Sequence, residues 1–152
     1  MIRLTAILLF LSVHTCLLAQ EWPFELWHEG HVVLSSGDTL KGLVKYDLQQ
    51  DIVQYEFPNE KKEAYTPRKV IYFSIFDATV HLHRRFYALP YSATTGYKSP
   101  TFFELLSEGE MTLLCREGLE TRTYSSAYYL GSYSRVVLAY RYFLLEANGE
   151  IV

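Results

Sequence analysis

The chain has 152 residues, of which 49% are hydrophobic and 20% charged, with a formal net charge of -3. That length suits one domain, and the apolar fraction supplies a packed core, which speaks against disorder. The slight acidity excludes the basic footprint of a nucleic-acid binder and the polybasic patch that holds a protein on anionic lipid.

Residues 1–19 have the three parts of a secretory signal peptide. Arg3 is the positive start, residues 4–13 are apolar apart from Thr5 and Ser12, and Ala19-Gln20 offers a cleavage point. The apolar run is about ten residues, short of the roughly twenty that span a bilayer as a helix. The mature chain, residues 20–152, is expected to be a single β domain that starts at Gln20 or Glu21. Its destination is then the periplasm, the outer-membrane surface or the extracellular space. Val13, His14 and Thr15 are poor neighbours for lipid attachment at Cys16. Cleavage removes Cys16 and leaves Cys115 alone. Because Cys115 alternates in phase with Met111 and Leu113, a buried, inert thiol is expected.

Residues 21–29 carry both tryptophans and Pro23 without a clear period, and read as an N-terminal arm over a sheet. Regular structure is expected from His31. Residues 31–34 and 39–46 flank Ser35-Ser36-Gly37-Asp38, which is a hairpin by alternation and by turn chemistry. Gly42 within the second strand marks a bulge or a close backbone approach. Residues 47–51 turn the chain. Residues 52–57 alternate again, with Val53, Tyr55 and Phe57 on one face. A polar break at 58–63 precedes a short strand at 64–66 and a single helical turn at Thr66-Pro67-Arg68-Lys69. Residues 70–76 are densely apolar and are expected to be buried on both faces.

Residues 80–89 form a long strand, with Val80, Leu82, Phe86 and Ala88 on one side. His81, His83, Arg85 and Tyr87 share the other. The longest irregular stretch, 90–100, is the expected contact loop, through Tyr91, Thr94, Thr95, Gly96 and Tyr97. Residues 101–106 and 111–116 make a second hairpin around 107–110. Glu117-Gly118 turns the chain again before a weaker strand at 121–125, and 126–133 is ambiguous. Residues 135–146 form a long strand with Val136, Leu138, Tyr140, Tyr142 and Leu144 in phase, ended by Asn148-Gly149, where a type I′ turn is expected. Three residues follow. Either the outer edge of that strand is open to self-association, or a longer native chain covers it.

The expected fold is all-β and mainly antiparallel. Its hairpins form a meander in a rolled sheet or open barrel, because a long sheet twists and curls. An outer-membrane barrel needs strands of about ten residues with an apolar lipid face. Here turns come too often, and Lys41, Lys45, Arg84 and Arg85 fall inside strands, so an integral membrane protein is not expected.

Catalytic and metal signals are sparse. His81 and His83, at i and i+2 of a strand, would share a face and could chelate, but zinc takes about four ligands and Arg84 and Arg85 would oppose a cation. Asp38 supplies one carboxylate where calcium takes six to eight oxygens. A glycosidic carboxylate pair can come from anywhere in the chain; Glu104, Glu108 and Glu110 cluster in sequence, although the last two sit in a turn where solvated acids are common. Cys115 has no histidine close in sequence, and there is no nucleophile elbow or phosphate-binding glycine loop. No catalytic residue, cofactor or metal site is assigned. The 13 tyrosines, 9 phenylalanines and 2 tryptophans fit strand packing first and an exposed platform for a glycan or peptide second.

Residues 30–46, Gly-His-Val-Val-Leu-Ser-Ser-Gly-Asp-Thr-Leu-Lys-Gly-Leu-Val-Lys-Tyr, and residues 101–117, with Phe102-Phe103-Glu104-Leu105-Leu106 ahead of a Glu-Gly turn, join the Ala-Gln cleavage site in one pattern. It resembles uncharacterised exported β proteins of the Bacteroidota. The resemblance implies a shared β fold and a chain continuing past the last hairpin; it carries no activity. The functional expectation is an exported, non-enzymatic envelope or secreted module acting by interaction with an envelope protein or a glycan. The alternatives are a carrier of a small apolar ligand inside a β barrel and, third, a hydrolase of unknown type.

Overall fold

The computed structural model describes residues 25–93, 96–126 and 131–152. The expected signal segment, residues 1–19, lies outside them. Nine strands follow in chain order: β1 (His28–Leu34), β2 (Thr39–Asp47), β3 (Ile52–Glu56), β4 (Lys62–Tyr65), β5 (Val70–Asp77), β6 (Leu82–Tyr91), β7 (Ser99–Ser107), β8 (Thr112–Ser126) and β9 (Gly131–Leu145). They form one antiparallel sheet in the order β4-β3-β2-β1-β5-β6-β7-β8-β9. Two meanders, β1 to β4 and β5 to β9, join where β5 pairs with β1. The sheet is open, with β4 and β9 as its edges.

Turn chemistry sets the hairpins. At Gly37, Glu60 and Gly149 a residue with positive φ ends the loop, and its amide bonds the carbonyl three residues back. Each is a type I turn followed by a left-handed residue. The last turn therefore differs from the type I′ expectation: only Gly149 has positive φ, and Ala147-Asn148 are the central residues. The β2–β3 and β5–β6 loops share another design. Asp47 accepts the amides of Gln49 and Gln50, and Asp77 accepts the amide of Thr79. Each loop then closes on a left-handed residue, Asp51 or His81.

Several expectations are corrected. Thr66 to Lys69 is a hydrogen-bonded turn, closed by Lys69 N–H to Thr66 C=O, with no helix. In β5 one face alone is buried, since Phe73, Ile75 and Asp77 are covered while Tyr72, Ser74 and Phe76, alternating with them, are only half-buried. The strand buried on both faces is β7, through Thr101, Phe102, Phe103 and Glu104. Strand β6 starts at Leu82 and runs to Tyr91, opposing Pro90 to Pro100. Two prolines facing each other leave no unmade amide bond between them. Glu117-Gly118 is no turn: β8 runs through it, with Gly118 opposite Ala139.

The sheet rolls so that one face meets itself. Tyr46 of β2 packs on Phe102 of β7 at 5.7 Å between ring centroids, although three strands separate them in the sheet. Phe73 and Phe86 stack at 4.6 Å, with Tyr46 against both and Phe102 edge-on to Phe73. Val32, Val44, Val53 and Val70 complete this core. Asp51 seals the roll. The β7–β8 ladder reaches Glu104 and Cys115, and beyond it Asp51 Oδ2 accepts the Phe102 amide at 3.3 Å. Its Oδ1 accepts the Tyr46 hydroxyl at 2.7 Å and lies 3.4 Å from Arg116 Nη2. On the opposite face Phe103, Tyr91 and Phe143 make a second ring cluster.

Two glycines face each other in the β1–β2 ladder, Gly30 and Gly42. The Tyr55 ring lies over Gly42, and its hydroxyl donates to the Lys41 carbonyl. This is the close approach that the sequence implies. Gly30 is tighter: a Cβ there would lie 2.1 Å from the Ser74 carbonyl oxygen, a backbone atom that cannot swing aside. A Cβ on Gly118 would meet nothing within 4 Å. Gly30→Ala is expected to cost about 2 kcal/mol or more, whereas Gly118→Ala should stay within about 0.5 kcal/mol of the parent. Urea unfolding midpoints of the two variants check this.

Candidate functional site

The parity of the strands carries charge onto the buried face. Phe86 and Ala88 face the core, so Arg84, two residues before Phe86, faces it too. Glu104 follows Phe102, and Glu117 follows Cys115, by the same step. Arg84 thereby meets three carboxylates from three neighbouring strands. Its Nε and Nη2 donate to the two oxygens of Glu104 at 2.7 Å each, and Nη2 donates to Glu117 Oε1 at 2.6 Å. Asp77 Oδ2 lies 3.5 Å from Nη1. The Arg84 side chain is 13% exposed, and the three acids are more buried still. Val80, Leu82, Leu138 and Tyr140 rim a cleft of about 250 Å³ over the cluster.

One guanidinium among three carboxylates leaves excess negative charge, and the acids respond differently. Burial pushes the Glu117 pKa above the ordinary glutamate value, against the opposing pull of Arg84. Burial also works on Asp77, but the Thr79 hydroxyl and amide, together with His28 and Arg84, outweigh it, and the Asp77 pKa falls below its ordinary value. Cys115, opposite Glu104 in the ladder, has its thiol pKa raised to about 11, first by burial and then by Glu104 and Glu117. It is buried and protonated at neutral pH.

The sequence candidates fall elsewhere. His81 sits in the β5–β6 turn with φ of 55°. His83 is on β6, packed against Phe76, so the two do not share a strand face. His83 instead borders a shallow outer groove with His31 and Lys41. There burial, Lys41 and Arg85 lower the His31 pKa. Glu108 and Glu110 are exposed in the β7–β8 turn, away from Glu104. Asp38 is exposed and accepts the Ser36 hydroxyl. Of the expected contact loop, Thr94 and Thr95 lie outside the described residues. Tyr97 is 79% exposed, Gly96 is exposed beside it, and Tyr91 belongs to β6, half-buried against Phe103 and Phe143.

The larger exposed feature is the β8–β9 hairpin, two strands of fifteen residues paired along their whole length. In β9, residues 131–136 are exposed without interruption, so both faces of that end meet solvent. Cross-strand pairs hold this arm: Tyr124 stacks on Tyr133, Arg135 lies over Tyr124, and the hydroxyls of Thr123 and Ser134 bond at 2.7 Å. Arg141 reaches Glu120 at 3.1 Å. Among the described residues, the outer edge of β9 pairs only at its end, where Leu144 and Val152 exchange two hydrogen bonds. Toward the body, Tyr140 and Tyr142 remain 52% and 64% exposed on the face that also carries the Arg84 cleft.

Comparison with known proteins returns no family model, no curated protein and no solved structure that matches this chain.

Removing one member of a buried ion cluster strands its partners, at about 3–5 kcal/mol. Arg84→Ala is therefore expected to destabilise strongly, and Arg84→Lys to recover part of the loss, because an ammonium cannot match the two-pronged contact with Glu104. A carboxyl with a raised folded pKa binds its proton more readily in the native state. The Glu117 contribution then falls as pH rises from the ordinary glutamate value through the folded one. The stability of the parent relative to Glu117→Gln should decline over that interval, as read by urea unfolding at a series of pH values.

Proposed function

We propose that the protein is an exported module of the cell envelope or secreted space that acts by binding a protein partner, and that it is not an enzyme. The observation that carries this reading is the long arm of β8 and β9, with a strand edge that is unpaired among the described residues and exposed tyrosines beside it. An open edge recognises the backbone of another extended segment by strand addition. The charge pattern on its two faces then selects among segments.

The filled interior supports binding at the surface over carriage of an apolar ligand. Tyr46, Phe73, Phe86 and Phe102 occupy the space that a carrier would leave for its cargo. The carboxylates that come together, Asp77, Glu104 and Glu117, all face the same guanidinium. That engagement accounts for these acids as members of a structural ion cluster, with no acid-base role required of them.

The reading has two tests. N-terminal sequencing of protein recovered from the periplasmic or culture fraction should begin at Gln20 or Glu21; an intact Met1 in the cytosol would remove the export component. A variant in which a short turn replaces residues 121–136 should keep its β spectrum and unfolding midpoint, yet lose the partner that the intact chain captures from envelope extract. Equal capture by both proteins would count against the arm.

A further inference from the structure

We propose that the outer face of the sheet holds a binding site for an acidic sugar, a saccharide with an isolated carboxylate, centred on His31 and Ser74. The site lies off the β8–β9 arm and does not depend on the role proposed for it.

Register builds the site. Lys41 of β2 lies opposite His31 of β1, His31 opposite Ser74 of β5, and Ser74 opposite Arg85 of β6. The four residues stand in one row across four strands, about 14 Å long at the usual strand spacing. Val32, Phe73 and Phe86, their sequence neighbours, are buried in the core, so the row faces outward. Setting Lys41 against His31 is unfavourable whenever the imidazole is protonated. The ion pairs among the described residues include neither Lys41 nor Arg85. Arg85 Nη1 donates instead to the Tyr87 hydroxyl at 3.3 Å. An ammonium, a guanidinium and an imidazole thus surround one hydroxyl, without a carboxylate to pair them. A ligand carboxylate supplies what the row lacks, and the planar guanidinium matches its two oxygens.

The borders of the row suit a sugar. On one side Tyr72 stands edge-on to His31 at 5.6 Å and packs against Tyr87 at 5.4 Å; on the other Phe76 packs against His83 at 5.0 Å. These rings offer apolar surface with polar tips to the faces of a saccharide. A groove of about 490 Å³ lies over His31, Ser74 and His83, a volume in the range of small-ligand sites. Glu29 borders it, and beyond Arg85 the adjoining groove ends at Glu108. The two acids can accept sugar hydroxyls, whereas they repel the closely spaced phosphates of a nucleic acid. The field of the row registers on His31, whose pKa is held below its ordinary value by burial, Lys41 and Arg85. The charged and titratable groups that face His31 are Glu29 on its own strand, Lys41 on β2, Tyr72 on β5, and His83 and Arg85 on β6. A carboxylate between Lys41 and Arg85 favours the imidazolium. Binding then draws a proton onto His31, and by linkage it tightens as pH falls.

Cellobiouronic acid, with one carboxylate, and cellobiose, its neutral twin, separate the charge from the sugar. In an NMR titration of the mature full-length chain, cellobiouronic acid should shift the Ser74 amide and the His31 ring signals and raise the His31 pKa. Lys41 and Arg85 are exposed, so Lys41→Ala and Arg85→Ala should fold as the parent does and weaken binding about tenfold each. In a His83→Gln background the affinity should rise as pH falls through the His31 titration, and adding His31→Gln should abolish that rise. Absence of binding overturns the proposal, as does full affinity in Arg85→Ala. Equal binding of cellobiose excludes the charge row as the determinant. An equal response to sodium sulfate at the same concentration reduces the site to a simple ion site and overturns the sugar. A variant in which a short turn replaces residues 121–136 should bind cellobiouronic acid as the parent does, so a failure of the arm to capture its partner is distinguished from a failure here.

Discussion

A single guanidinium decides how the second meander is assembled. Arg84 stands on β6 and reaches Asp77 on β5, Glu104 on β7 and Glu117 on β8. Within a dry face each carboxylate is costly without that partner, so all four side chains must arrive together. This fixes the stagger of four strands against one another. It also explains why Glu117-Gly118 continues as strand. A turn there would carry Glu117 away from Arg84 and remove its hydrogen bond with Nη2.

Asp51 does comparable work at the other side of the roll. One carboxylate holds a ring hydroxyl from β2, a backbone amide from β7 and a guanidinium from β8. Its left-handed backbone at the end of the β2–β3 loop aims the side chain into the seam. The roll stays open all the same. At one margin β4 is four residues long, begins with Lys62 and follows Pro58 and Lys61, which blunt it against unwanted pairing. At the other margin, among the described residues, β9 is long and pairs on its outer side only at its end.

Much of the architecture is legible in the chain because it depends on local chemistry. Asp47 and Asp77 announce their loops, Gly37 and Gly149 their hairpins, and alternation announces β2, β3 and β9. Parity also contains the ion cluster. Arg84 shares a face with Phe86, Glu104 with Phe102, and Glu117 with Cys115, but adjacent charges such as Arg84-Arg85 read as a solvated face when they are taken together. The pairing of β1 with β5 is not legible, because it joins segments separated by an entire meander. Nor is the demand at Gly30, which arises from the Ser74 carbonyl across that joint. The proline pair at Pro90 and Pro100 misleads in the opposite direction. Each looks like the end of a strand, and only their mutual opposition lets both strands run past them, which moves Tyr91 out of the contact loop and into the second ring cluster.

The joint between β1 and β5 has a consequence for how the molecule reaches its native state. Every other ladder connects neighbours in the chain, and such hairpins zip within microseconds. The β1–β5 ladder must wait until β2, β3 and β4 have been gathered beside β1, because the intervening segment has to close as a loop before any of its hydrogen bonds can form. Loop-closure entropy makes this joint between the two meanders the ladder least favoured to form early. The narrow backbone approach at Gly30 lies on that seam. A side chain there would act on the rate of joining as well as on the final stability, and the two meanders would spend longer apart with their unpaired strands in solvent.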